Sequence, residues 1–327
     1  MSEKPAPDRN LAMDLVRVTE AAALASSAWI GRGEKELADG AAVRAMRSVL
    51  ATVSMTGTVV IGEGEKDNAP MLYNGELIGD CQGPPVDVAV DPIEGTTPTA
   101  MGRWGAMSVM AVATKGSMFF PGPIVYMNKL ATGPEGVGVV SLELTPSENI
   151  RELAKAKRCQ PSDITTVILD RPRHEELIEE VRAAGAKIRL IGDGDVSGAV
   201  ATALSDVDAD ILLGVGGSPE AVLAAAGLRC IDGQIQVQLW PRNEAERSAA
   251  VAAGYDIDRI LTIDDLINSD NCFFAATGLT DSDLLKGVRH RENQLVTHSI
   301  VMRSRSKTIR TIEAVHKKEK LRNFALL

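Results

Sequence analysis

Val86-Asp87-Val88-Ala89-Val90-Asp91-Pro92-Ile93-Glu94-Gly95-Thr96 is the stretch on which the reading of this chain turns. Its first half alternates as a strand does, and its second half breaks at an acid, a proline and a glycine. Asp91 and Glu94 should therefore project from a turn at one sheet edge. Hard cations such as Mg²⁺ or Mn²⁺ take oxygen ligands, and two acids three residues apart on a turn can share or bridge them. Gly95 lets backbone amides approach an anion, and Thr96 adds a hydroxyl. If a helix starts here, its free N–H groups favour phosphate. The same hexapeptide also reads as a capped turn with exposed acids, and its residues alone leave both readings open.

Upstream, Asp8 is placed to cap a helix with Leu11, Leu15, Val18 and Ala22 on one face, closed by the turn Gly31-Arg32-Gly33. Asp39-Gly40 is expected to open a second helix with Val43, Met46 and Leu50 inward. Thr58 to Ile61 reads as a strand ending at Gly62-Glu63-Gly64-Glu65, where glycines bracketing an acid sacrifice stiffness; Glu63 reads as a ligand or as part of a solvated turn. Downstream, Met107 to Ala113 is another apolar strand. From about Ser147 helix and strand alternate: a helix near 147–157, strand Thr166–Leu169, a helix from His174 to Ala184 and strand Lys187–Ile191. Asp193-Gly194-Asp195 and a small-residue helix follow, then strand Ile211–Val215 and a helix after Gly216-Gly217-Ser218-Pro219-Glu220. Carboxylates and glycines recurring at strand ends predict a site along the carboxyl ends of strands in an α/β fold.

A chain of 327 residues exceeds the usual span of one hydrophobic core, so two lobes are expected, 1–145 and 146–327. Apolar residues make up 45% and aromatics only 3%, a balance that suits close helix–sheet packing. Met46, Leu153 and Leu223 are core candidates. The net charge of −9 argues against nucleic acid or an anionic membrane as partner. An anionic small molecule remains compatible where cations or local basic residues reverse the potential. Cys81, Cys159, Cys230 and Cys272 form no CxxC pair, which disfavours zinc or a disulfide framework and fits a reducing cytoplasm. No signal peptide or membrane span is read in the sequence. A symmetric homodimer or homotetramer is expected because such assemblies are common among soluble enzymes.

Other candidates follow strands. Ser218 can cap a helix with Pro219 at its first position, leaving Glu220 as a ligand or as a complement to the helix dipole. Gly214-x-Gly216-x-x-Pro219 puts proline where a dinucleotide loop needs its third glycine, and no GxxxxGK[ST] loop occurs. Arg171-Pro172-Arg173 offers two forked guanidiniums to clamp a phosphate, or an exposed basic turn. Asp193 and Asp195 suit sugar hydroxyls or an Asx turn. Tyr126, Lys129 and Asp39 read as ordinary residues when taken alone, Asp39 as a helix cap.

Taken together and in this order, the segments from Arg17-Val18-Thr19-Glu20 through Ala38-Asp39-Gly40, Val60-Ile61-Gly62-Glu63-Gly64-Glu65, Ala69-Pro70-Met71 and Asp91-Pro92-Ile93-Glu94-Gly95-Thr96 resemble the bacterial class II fructose-1,6-bisphosphatases. Arg171-Pro172-Arg173-His174, Asp193-Gly194-Asp195, Gly216-Gly217-Ser218-Pro219-Glu220 and Ala276-Thr277-Gly278 extend the likeness over about residues 10–316. That family is related to the lithium-sensitive inositol phosphatases. The resemblance implies a layered α-β-α-β-α sandwich and metal-dependent hydrolysis of D-fructose 1,6-bisphosphate to fructose 6-phosphate in gluconeogenesis. By motif position it implies metal ligands at Asp39, Glu63, Asp91, Glu94 and Glu220, holding Mn²⁺ or Mg²⁺. Substrate contacts fall on Glu94, Gly95, Thr96, Tyr126, Arg171, Pro172, Arg173, Asp193, Gly194, Asp195 and Gly217. Lys35, Thr96 and Glu94 fall closest to the chemistry. Sedoheptulose 1,7-bisphosphate is the alternative substrate; an inositol monophosphatase or a non-catalytic metabolite-binding relative are further readings. The chain departs from the family at Leu37, where a small polar residue is expected, and at Ala221, where glycine is. It is also shorter than some relatives between Trp240 and Leu261.

Overall fold

The computed structural model describes residues 10–64 and 71–323. Helices α1 (Ala12–Ser26) and α2 (Lys35–Leu50) lead into strands β1 (Thr56–Ile61), β2 (Leu77–Ile78) and β3 (Pro85–Glu94), helix α3 (Thr96–Met101), and strands β4 (Met107–Thr114) and β5 (Tyr126–Thr132). Next come α4 (Pro146–Lys157), β6 (Thr165–Leu169), α5 (Glu175–Ala183), β7 (Lys187–Ile191), α6 (Asp195–Ala201), β8 (Ile211–Gly217) and α7 (Ser218–Cys230). The chain finishes with β9 (Gln234–Leu239), α8 (Glu244–Ala252), β10 (Ile260–Thr262), α9 (Ile263–Leu266), β11 (Phe273–Gly278), β12 (Arg289–His290), β13 (Gln294–Arg303), β14 (Thr308–Lys317) and α10 (Lys318–Asn323).

Two mixed sheets result. The first runs β12-β13-β11-β4-β3-β1-β2, with β14 on the other edge of β13; the second runs β10-β9-β5-β8-β6-β7. Period-two side-chain alternation sorts each strand between two layers. On β4, Met107, Val109, Ala111 and Ala113 face a middle layer with Val196, Val200 and Leu223 of α6 and α7, while Met110 and Val112 face α1 and α2. On β6, Val167 faces that middle layer and Ile168 faces α4 and α5 on the far side. The order is therefore helix, sheet, helix, sheet, helix, the expected α-β-α-β-α sandwich. Met46, Leu223 and Leu153 lie one in each of the three clusters. No described helix is long and apolar enough to cross a membrane.

Sheet membership follows a different division from the 1–145 and 146–327 split. The chain leaves the first sheet after β4, builds the whole second sheet, and returns to the first at β11.

Three local expectations change. The second helix opens at Lys35, so Asp39 lies in its second turn and caps nothing. The strand at Val86 does not break at Asp91 but continues to Glu94 through a bulge, where Asp91 faces Val109 and Glu94 faces Met107. Nor does this strand expose alternate residues, because Val86 through Val90 are all buried between two helical layers. Asp8, Glu65, Ala69 and Pro70 lie outside the described residues; α1 begins with Asn10 accepting a hydrogen bond from the Ala12 N–H at 3.0 Å.

Candidate active site

Three strand ends and two short helix starts meet at one edge of the two sheets. β1 ends at Gly62-Glu63, held there by Glu63 N–H donating to Leu72 O at 2.9 Å and by Gly62 N–H donating to Asn74 Oδ1 at 3.0 Å. β3 delivers Asp91 and, past its bulge, Glu94. Gly95, at φ 91°, turns the chain into α3, a conformation that L side chains rarely adopt. Gly194, at φ 90°, does the same before α6. β8 ends at Gly217, where a Cβ would lie 1.9 Å from Glu220 Oε2, so only glycine lets that carboxylate fold back over the strand end.

The acids face one another. Asp91 is driven well above the ordinary carboxylate range first by burial, then by the negative charges of Glu220, Glu63 and Asp39. Glu94 is raised by burial, then by Asp195 and Asp91. Burial and Asp39 push Glu63 up to about 7. Burial raises Glu220, Asp195 adds to it, and the Lys129 ammonium opposes it. Asp39 is raised by burial and by Glu36. Like charges crowded out of water are costly unless protons or cations neutralise them.

Two of these carboxylates carry an unanswered oxygen. Glu94 Oε1 accepts the Val196 N–H at 2.7 Å, whereas Glu94 Oε2 and Glu220 Oε2 are buried with no protein partner. Among the described residues, no three carboxylates, histidines or cysteines are arranged as a finished cation cage. Crowded acids with orphaned oxygens, all hard donors, nonetheless fit a divalent cation bound by oxygen.

Beside the acids lies a cleft of about 310 Å³ bounded by Tyr126, Arg171, Arg173, Asp193, Gly217 and Glu220. Arg171 is turned onto Asp193, its Nη2 donating to Oδ1 at 2.9 Å, with Nη1 on Asp170 O. Arg173 stacks over the Tyr126 ring, 5.0 Å from its centroid, and donates to Val215 O at 2.7 and 3.2 Å. Pro172 is exposed and starts a one-turn 3₁₀ helix, Pro172–His174, with Arg171 just before it and Arg173 within it. Across the cleft Lys35, the first residue of α2, donates to Thr97 Oγ1 at 2.7 Å. Thr96, its neighbour, is half-buried at the start of α3.

Thr97, Trp240 and Arg242 were not singled out as site residues in the sequence, and Lys129 was read there as an ordinary residue. Thr97 escaped notice beside Thr96. Lys129 is buried and pairs with Asp195 at 2.6 Å, so Asp195 is engaged by an ammonium, and a Cβ on Gly216 would strike that carboxylate at 2.1 Å. Its signal was a lysine within an apolar strand, Tyr126 to Thr132. Trp240, set edge-on to Tyr126 at 6.2 Å, and Arg242, 6.0 Å above the same ring, come from the segment after β9 and gave no local signal. The two departures from the family sit differently: Leu37 is exposed, while Ala221 is fully buried in the middle layer.

Comparison with known proteins bears on this arrangement. Residues 9–316 match the family model described as bacterial fructose-1,6-bisphosphatase, glpX-encoded. The chain is 44% identical over 322 residues to the Haemophilus influenzae fructose-1,6-bisphosphatase class 2, covering 94% of this chain and 96% of that one. It is 43% identical over 321 residues to the Escherichia coli K12 fructose-1,6-bisphosphatase 1 class 2, covering 94% and 95%. An oxygen-rich strand-end site in a five-layer sandwich, matched from end to end at this identity, makes the chain a member of the bacterial class 2 fructose-1,6-bisphosphatase family.

Proposed function

We propose that this protein hydrolyses the 1-phosphate of D-fructose 1,6-bisphosphate, releasing fructose 6-phosphate and phosphate in gluconeogenesis. The observation that carries the reading is the mutual crowding of Asp91, Glu94, Glu63 and Glu220, with Glu94 Oε2 and Glu220 Oε2 buried and unpartnered. Asp39, Glu63, Asp91, Glu94 and Glu220 would hold the divalent cations, Mg²⁺ or Mn²⁺. When bound, such cations neutralise the scissile phosphate and acidify a water molecule for in-line attack.

The protein's own groups do the positioning. Lys35, steered by Thr97, places an ammonium where phosphoryl oxygens gather charge. The Thr96 hydroxyl and the amides after Gly95 orient the ester. Arg173 on Tyr126, with Arg171 released from Asp193, takes the distal phosphate, while Asp193 and Asp195 accept from sugar hydroxyls, with Gly194 and Gly217 giving the backbone close approach. Remote binding is thereby converted into orientation at the reacting end. The acid ligands come from both proposed lobes, four from 1–145 and Glu220 from 146–327. The four cysteines are free thiols, in keeping with a reducing cytoplasm, and a symmetric homodimer or homotetramer is the assembly we assign.

The test is phosphate release from fructose 1,6-bisphosphate, sedoheptulose 1,7-bisphosphate, fructose 6-phosphate and an inositol monophosphate, each with Mg²⁺, with Mn²⁺ and with chelator. Turnover of the first in a cation-dependent manner is expected. Equal turnover with chelator, or preference for the inositol ester, would refute the proposal.

A further inference from the structure

β6 and β8 are neighbours in the second sheet, yet they pair only at Thr166 with Ile211 and Val167 with Leu212. Their outer neighbours stay paired further, β6 with β7 as far as Leu169 and β8 with β5 as far as Gly217. The two strands thus part just where the substrate cleft opens, and parted strands leave backbone groups without ladder partners.

His174 occupies the gap. It is 2% exposed, its Nδ1 lies 2.7 Å from Leu169 O on β6, and its Nε2 lies 2.8 Å from Val215 N on β8. A carbonyl can only accept and an amide N–H can only donate. The ring is therefore a neutral imidazole with its proton on Nδ1 and a lone pair on Nε2. Gly214, at φ 124°, makes room for it, since a Cβ there would sit 2.9 Å from Nε2. Val215 is held at the backbone groups on both sides of its Cα, its N–H by His174 and its C=O by Arg173 at 2.7 Å. The same single turn, Pro172–His174, carries both side chains.

We propose that His174 is a positioning residue: its neutral imidazole replaces the missing β6–β8 ladder, fixes the Val215 backbone, and so aims the Arg173 guanidinium into the cleft. The proposal rests on Arg173 as the distal-phosphate ligand. Burial and the charges of Arg173 and Arg171 keep the ring neutral, in line with the geometry. Touching no reacting atom, His174 should act on binding of the distal phosphate more than on turnover.

The experiment is a kinetic cycle of His174→Gly, Arg173→Ala and the double variant on fructose 1,6-bisphosphate with saturating Mn²⁺. His174→Gly should raise KM about tenfold, with kcat falling less than about threefold, and added imidazole should bring KM back. In the Arg173→Ala background the His174 change should add nothing further to KM. If Arg173→Ala leaves KM unaltered, the phosphate-ligand reading of Arg173 fails. If Arg173→Ala raises KM but the two effects multiply, or His174→Gly shifts KM less than twofold, His174 does not aim Arg173. Should the glycine variant not fold, ¹⁵N NMR of the unaltered protein at pH 7.5 decides. An Nδ1–H tautomer supports the role, and an Nε2–H tautomer or a charged ring overturns it.

Discussion

β3 carries two buried carboxylates seven residues apart that live in opposite circumstances. Asp87 Oδ2 accepts the Ser117 and Met118 N–H groups at 2.9 and 3.2 Å, and its Oδ1 meets Lys115 Nζ at 3.2 Å. Glu94 receives one amide, from Val196, and otherwise faces Asp195, Asp91 and Glu220 with a bare Oε2. The first acid belongs to the architecture, because the protein itself answers its charge. The second is left for something the chain does not contain. Burial of an acid is thus no sign of function; the supply of partners is.

The largest effect expected from this contrast is on turnover. Glu94→Gln keeps the shape, removes a charge from the crowd, and should lower kcat/KM by roughly a thousandfold or more. The same change should raise the unfolding temperature of the cation-free protein, because repulsion is relieved. A variant with lower stability and near-normal phosphate release would make Glu94 a structural acid like Asp87. Asp87→Ala should do the reverse, costing about 3 kcal/mol of stability in urea unfolding by orphaning two amides and a lysine, while cation-dependent turnover persists. Loss of turnover with full stability would erase the distinction.

Cation binding sharpens it next. At a hundredfold excess over Kd, Mn²⁺ should stabilise the protein by about 2.7 kcal/mol and Asp87→Ala by the same amount. Glu94→Gln should gain far less in the same calorimetric titration.

The smallest effect concerns His174, satisfied on both sides as Asp87 is. Burial and two neighbouring arginines lower its folded pKa below the ordinary 6.5. Below pH 6.5 the unfolded chain takes up a proton that the fold refuses, so stability falls as pH drops through that region. Replacing His174 should make the decline between pH 6.5 and 5 shallower in thermal melts, against the background of His290 and His316, which burial also lowers. An unchanged slope would mean that the ring titrates alike folded and unfolded.

The sequence reported what strand ends and glycines can report. The strand from Lys187 to Ile191 and the placing of Glu63 and Glu94 at strand ends follow from local pattern and turn chemistry. It misjudged Asp39 because a helix start is written weakly when Glu34, the actual cap residue, makes no side-chain cap bond. It let β3 end too soon because a proline usually closes a strand, whereas a bulge here absorbs Pro92. Lys129 was read as ordinary, and Trp240 and Arg242 stayed hidden, because their meaning lies in which residue stands opposite them, and no periodicity within one element encodes that.

The return of the chain to its first sheet carries a consequence for how the protein is made. β4 waits for β11, which is followed by β13 and β14, so the whole stretch 115–272 separates the two halves of one sheet. On the ribosome, β3 and its acids must sit beside an unfinished edge until residues 273–303 have emerged from the tunnel. Catalytic competence therefore cannot precede the arrival of β11 and β13, and a released chain cut after residue 265 should hold the second sheet's strands but stay silent in a phosphate assay.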